Sequence, residues 1–158
     1  MSEPPTVTRS IDVAAPPAAV YALITDLDVL AELADETQAM TWKKGDTVAV
    51  GNVFAGRNAN GRRRWTTTCT VTEAASGRAF EFDVVHPFPR IPVSRWRYEI
   101  TETGTGVGCR VTESTWDMRP GWFRKPAELA TGVRDRAAAS ARHIDATLAR
   151  LKQRAELG

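Results

Sequence analysis

Glu113 is the residue of this sequence best placed to do chemistry. Strand alternation puts it on the same side as Cys109 and Val111, so its carboxyl is expected to face an apolar interior. A carboxyl held there has a raised pKa and can act as a general acid or base. The structural alternatives are an ion pair with Arg95 or Arg97 on the neighbouring strand, or a bulge that turns the carboxyl outward. Tyr98 and His86 are the other two catalytic candidates, and His86 is the histidine nearest the expected mouth of a pocket. His143 falls beside the apolar stripe of the last helix and reads as structural. Neither histidine has a nearby Ser or Cys that would signal a nucleophilic triad. Gly104-Thr105-Gly106-Val107-Gly108 joins two strands, whereas a dinucleotide fingerprint opens a helix. Cys69 and Cys109 do not form a zinc-ligand cluster with the two histidines, so no metal or cofactor is expected and both thiols are expected to stay free.

A second set of residues has the character of a binding site. Trp42, Trp65, Thr67, Phe82, Trp96, Tyr98 and Val111 share the inward parity of their strands, and most are apolar, as small-molecule sites are. The alternative is a filled core. At one end of the strands, three connections are expected to gather: 58–62, 86–93 and 118–125. They hold Phe88, Ile91, Trp122 and Phe123 beside Arg62, Arg90, Arg124 and Lys125. Phe88, Arg90, Trp122 and Arg124 are the rim residues expected to meet an amphipathic acidic ligand or a membrane surface, unless the aromatics simply cap the core. Arg62-Arg63-Arg64 alternate between strand faces and make no coherent patch, so no nucleic-acid partner is expected.

These residues need elements to position them. Val7, Ile11 and Val13 alternate over a strand at about 6–13. Pro16-Pro17 ends it and starts a short helix through Val20, Leu23 and Ile24, with a second short helix at about 27–34. Six further strands follow. The clearest spans 62–73, with Trp65, Thr67, Cys69 and Val71 on one face and four threonines on the other. Asn58-Ala59-Asn60-Gly61 is a hairpin signal. His86–Pro92 contains three prolines without N–H donors, so a loop is expected there. The last strand is expected at 107–117 and a loop or broken turn at 118–126. A long helix over roughly 127–156 closes the chain, its stripe made of Val133, Ala137, Ala141, Ile144, Leu148 and Leu151. Short hairpins between successive strands imply an antiparallel meander. The expected class is α+β: a curved seven-stranded antiparallel sheet, two short helices after its first strand, wrapped around one long C-terminal helix.

The bulk properties fit a single domain over residues 1–158. Hydrophobic residues at 42% and charged residues at 25% are those of a water-soluble globule. No run approaches the ~20 apolar residues that span a bilayer, so no stable membrane insertion is expected. Met1 to Pro5 has no basic cap or apolar run, which makes the cytoplasm the expected location. Residues 1–60 carry 4 Lys/Arg against 8 Asp/Glu, and residues 61–158 carry 17 against 11, which reads as two solvated faces of opposite sign. The oligomeric state is left open by the sequence.

Three segments resemble the START/SRPBCC superfamily, in its polyketide cyclase/dehydrase and lipid-transport branch. Ala14-Ala15-Pro16-Pro17-Ala18-Ala19-Val20-Tyr21-Ala22-Leu23-Ile24-Thr25-Asp26 is similar to the opening strand, Pro, helix, Asp stretch. The hairpin from Gly56 to Cys69 looks like one found in actinobacterial members. Trp96–Glu99 with Cys109–Glu113 is similar to the paired final strands. One departure is that 31–35 has Leu33 where the family often has tryptophan, which implies a more open pocket at that end. The resemblance implies the helix-grip fold and an internal cavity. It leaves function broad, because this fold hosts cyclases, carriers and hydrolases. Binding or transport of a hydrophobic or amphipathic small molecule, lipid or polyketide-like, is the expected function. The alternative is a cyclase/dehydratase-type enzyme using acid/base residues in the cavity. The lack of a strong acid/base constellation favours the first.

Overall fold

The computed structural model describes residues 3–104 and 107–158. Seven strands form one antiparallel sheet: β1 (Val7–Val13), β2 (Thr37–Lys44), β3 (Val53–Asn60), β4 (Arg63–Ala75), β5 (Ala79–Pro87), β6 (Arg90–Glu102) and β7 (Cys109–Asp117). Their order across the sheet is β1-β7-β6-β5-β4-β3-β2. Each strand from β2 to β6 therefore pairs with its successor, and β1 returns to the far edge beside β7. The helices are α1 (Pro17–Ile24), α2 (Leu27–Leu33), α3 (Gly121–Thr131) and α4 (Arg136–Leu157). This is the expected α+β helix-grip arrangement.

Local chemistry explains the boundaries. Pro17 stands in the first turn of α1, where a missing N–H costs nothing. Asp26 caps α2 by accepting from the amides of Asp28 and Val29 at 3.0 and 3.3 Å. Gly61 takes the left-handed conformation that turns β3 into β4. The 104–106 turn expected between β6 and β7 lies partly outside the described residues.

Two expectations are corrected. His86–Pro92 is the tip of a continuous hairpin. Val85 pairs with Pro92, His86 with Ile91 and Pro87 with Arg90, leaving Phe88-Pro89 as the turn. The prolines are tolerated because Pro87 ends its strand and Pro92 lies at the register shift after Val84. Within 118–126 only 118–120 are the expected loop; 121–126 belong to a full helix rather than a broken turn, and the long helix does not begin at 127. Residues 121–131 form α3. Gly132 ends it in the left-handed region at φ 74°, donating its N–H to the Glu128 carbonyl at 2.7 Å. Asp135 then caps α4 by accepting from the Ala138 amide at 3.0 Å. Val133 consequently sits in the link and not on the helical stripe.

The core lies between the concave sheet face and α4. Ile144, Leu148 and Leu151 are buried against Val13, Val20, Ile24, Leu30, Phe80, Ile100 and Val111. Cys69 on β4 and Cys109 on β7 are both buried and free, with β5 and β6 between their strands. Burial pushes the Cys69 thiol up to about 12. Thiol titration of the denatured, non-reduced protein is expected to count two free thiols, and a count of zero would contradict the strand order.

Candidate functional site

A cavity of about 380 Å³ opens between the sheet, α3 and the first half of α4. Three connections close one end of it, as strand parity requires. Asn60 donates to the Thr131 carbonyl at 2.9 Å, Arg63 to the Leu129 carbonyl at 3.2 Å, and the rings of His86 and Phe123 meet edge to face at 5.8 Å. These contacts bind the β3–β4 and β5–β6 hairpins to α3. The helix therefore lies across the cavity with Phe123, Ala127 and Ala130 on its inner side.

The lining contains Trp65, Thr67, Phe82, Trp96 and Tyr98 from the set read in the sequence, together with Glu113 and His86. Trp42 and Val111 keep the expected side of the sheet but lie beyond the cavity. Trp42 packs edge-on against Phe54 at 5.6 Å, and Val111 is fully buried in the core. Phe88, Arg90, Trp122 and Arg124 do not line the cavity. Phe88 projects from the hairpin tip and Trp122 from the outer side of α3, at 91% and 68% exposure. The inward aromatic of α3 is its neighbour Phe123, because one step along a helix rotates a side chain by about 100°.

Glu113 is the chemically unusual group. It is fully buried, and neither of its carboxyl oxygens has a hydrogen-bond partner among the described residues. Arg95 does not reach it, being bonded to Asp83 at 2.7 Å. Arg97 is committed to Glu73, Glu81 and Glu99. The ion-pair alternative is thereby excluded. Burial pushes the Glu113 carboxyl up to about 8, opposed by the Tyr98 hydroxyl, so it is neutral at pH 7. Tyr98 stands directly opposite on β6. Burial, and then the proximity of Glu113, raises its phenol well above the usual range.

Several polar wall residues were not legible as a group. On one side Thr37 donates to Asn58 and Asn58 to Thr67, each at 3.2 Å. A Cβ on Gly56 would come within 2.9 Å of the Thr67 hydroxyl, so glycine keeps this wall open. Two ion pairs also border the cavity: Arg136–Glu36 at 2.9 Å and Arg119–Asp117 at 2.8 Å. His143 lines it as well, against the Trp96 ring at 5.3 Å. Its Nδ1 accepts the Asp35 amide at 3.4 Å, which leaves the proton of the neutral ring on Nε2. Burial lowers the pKa of His143, so the ring is neutral at pH 7. At His86 the roles reverse: the Pro89 carbonyl can only accept, so Nδ1 donates at 3.1 Å.

The family described as polyketide cyclase/dehydrase and lipid transport matches residues 4–156. No curated protein matches the sequence. Among solved structures, the chain is similar to the Polyketide_cyc-like protein Cgl2372 from Corynebacterium glutamicum, with 24% identity and a TM-score of 0.62, covering 96% of this chain and 92% of that one. It is similar to DR_A0006 from Deinococcus radiodurans, with 15% identity and a TM-score of 0.68, covering 96% and 98%. It also superimposes on part of StfQ, a di-domain ARO/CYC from the steffimycin biosynthetic pathway. There the identity is 12% and the TM-score 0.67, with 95% of this chain and 44% of that chain covered. At these identities the structures speak for the fold, while the family match extends over nearly the whole sequence: the chain belongs to the polyketide cyclase/dehydrase and lipid transport family of the SRPBCC superfamily.

Proposed function

We propose that residues 1–158 act as one binding domain that holds a hydrophobic or amphipathic small molecule, lipid or polyketide-like, without transforming it. The observation that carries this reading is the cavity itself, walled by Trp65, Phe82, Trp96 and Phe123. Its volume suits a small organic ligand. Its charged groups are largely neutralised in the pairs Arg136–Glu36 and Arg119–Asp117, which suits an uncharged or weakly polar guest. No helix among the described residues is long and apolar enough to cross a membrane, and a cytoplasmic carrier is part of the same reading.

The test is a fluorescent fatty acid titrated into the protein while tryptophan emission is followed. Binding is expected to quench Trp65 and Trp96. Trp96→Ala is expected to weaken the affinity roughly tenfold, in the range of a well-packed aromatic anchor. Arg62→Ala, at the exposed β3–β4 hairpin, is expected to leave it unchanged. Equal affinity in both variants would remove the cavity as the binding site.

A cyclase/dehydratase reading is favoured by one observation, the neutral buried acid Glu113 beside Tyr98. Against it stands the lack of a coupled base: among the described residues neither His143 nor His86 is hydrogen-bonded to Glu113.

A further inference from the structure

We propose that Tyr98 and Glu113 form a hydrogen-bonding floor to the cavity, which selects ligands that carry a carbonyl oxygen at their deep end. The proposal rests on the cavity being the binding site and adds the chemical class of its guest.

The geometry begins with the pairing of β6 and β7. Tyr98 and Glu113 are register partners, so their side chains leave the sheet side by side on its concave face. Both border the cavity. The Tyr98 ring is held in place by stacking on Phe80 at 6.3 Å, with an interplanar angle of 11°. Glu113 stands beside it, with both oxygens unpartnered among the described residues. A buried polar group without a partner in a native fold calls for a reason, and a ligand contact is one. A neutral carboxyl offers one O–H donor and retains acceptor capacity. With a guest in place, that O–H donates to the phenol oxygen of its register partner, and the Tyr98 O–H donates outward, toward the guest. An incoming ketone, ester or thioester oxygen is a pure acceptor and matches it. A hydrocarbon end leaves the donor unanswered, and an anionic end meets the weakly acidic carboxyl in a desolvated place.

The arrangement responds to pH. Above about 8 the Glu113 carboxyl ionises and becomes an acceptor only. It then captures the Tyr98 O–H and withdraws it from the ligand. The other charged and titratable groups near the pair are otherwise engaged. Arg9 on β1 stands opposite Glu113 in register but pairs with Asp145 of α4 at 3.5 Å. Around the cavity, Glu36 pairs with Arg136 and Asp117 with Arg119, while His143 on α4 and His86 on β5 hold backbone bonds.

The test uses the full chain and two uncharged probes of matched shape, naphthyl methyl ketone and its hydrocarbon isostere isopropenylnaphthalene. Affinities are measured by tryptophan quenching at pH 7 and pH 9. At pH 7 the wild-type protein is expected to prefer the ketone about fivefold, the value of one neutral hydrogen bond. Tyr98→Phe is expected to abolish the preference while leaving hydrocarbon binding intact, which also shows that the variant is folded. At pH 9 the wild-type preference is expected to vanish. Glu113→Gln, which cannot ionise, is expected to keep it at both pH values. Equal affinity for the two probes in the wild type at pH 7, or a preference that survives Tyr98→Phe, overturns the floor while sparing the cavity. Failure of both probes to bind overturns the cavity reading and the floor with it.

Discussion

Ile144→Asp is expected to leave the protein without a stable native state. Ile144 is fully buried where α4 crosses the sheet, in the cluster that holds Val20, Ile24, Phe80 and Val111. Truncating such a side chain costs about 2–5 kcal/mol through lost burial and the cavity left behind. Placing a carboxylate in that seam adds a desolvation penalty, because the surrounding cluster is apolar. The sum is comparable to the total stability of a typical domain, about 5–15 kcal/mol. Far-UV circular dichroism with urea titration is the measurement. Ile144→Val, which removes one methylene, is expected to cost only about 1 kcal/mol and keep the fold. Native-like urea curves for the Asp variant would mean that α4 does not grip the sheet.

The second large effect concerns alkaline stability. The Glu113 carboxyl is raised in the folded state from 4.5 to about 8, so the native protein binds more protons than the unfolded chain across that window. Stability contributed by this group is fully present at low pH and is lost as pH rises through the folded pKa. Between pH 6 and pH 9 the loss amounts to about 2.5 kcal/mol. For a chain of this length that lowers the melting temperature by roughly 5–10 °C. Glu113→Gln carries no such titration. It is expected to melt close to the wild type at pH 4, where the carboxyl is protonated in both the folded and the unfolded chain, and increasingly above it from pH 6 to pH 9. Comparing the two proteins at each pH cancels the contribution of His143, which is common to both. A wild-type and variant gap that does not change with pH would place the Glu113 carboxyl in a solvated position.

Much of the scaffold was legible because it depends on periodicity. The stripe of Ile144, Leu148 and Leu151 repeats at helical spacing, and burial of exactly that face follows from the need to cover an apolar sheet. The alternation of Thr67, Cys69 and Val71 with outward threonines fixes which face of β4 turns inward. Asn60-Gly61 announces its hairpin through the left-handed glycine. These signals are local, so the chain carries them without reference to its partners.

Other features depended on how distant segments meet. The prolines of 86–92 argued for a loop, yet a register shift let them sit within paired strands. Gly132 ends one helix and lets another begin, so α3 becomes a separate cover over the cavity. Its phase then turned Phe123 inward and Trp122 outward, a choice between adjacent aromatics that composition does not make. Trp42 has the right parity but lies too far along its strand, against Phe54.

The sequence by itself determined the antiparallel meander, the gripping helix and the parity that groups Glu113 with Cys109 and Val111, since each follows from a repeat of two or of 3.6 residues. Only the tertiary structure decided that Arg95 and Arg97 turn away to Asp83, Glu73, Glu81 and Glu99, leaving Glu113 without a counter-ion beside Tyr98. It also decided that Glu36, Arg136, Asp117, Arg119 and His143, drawn from three separate stretches of chain, border one cavity. Periodicity states which side of an element a residue occupies. Which partner it finds there depends on long-range packing, because a charge takes the nearest counter-charge that the closed fold presents.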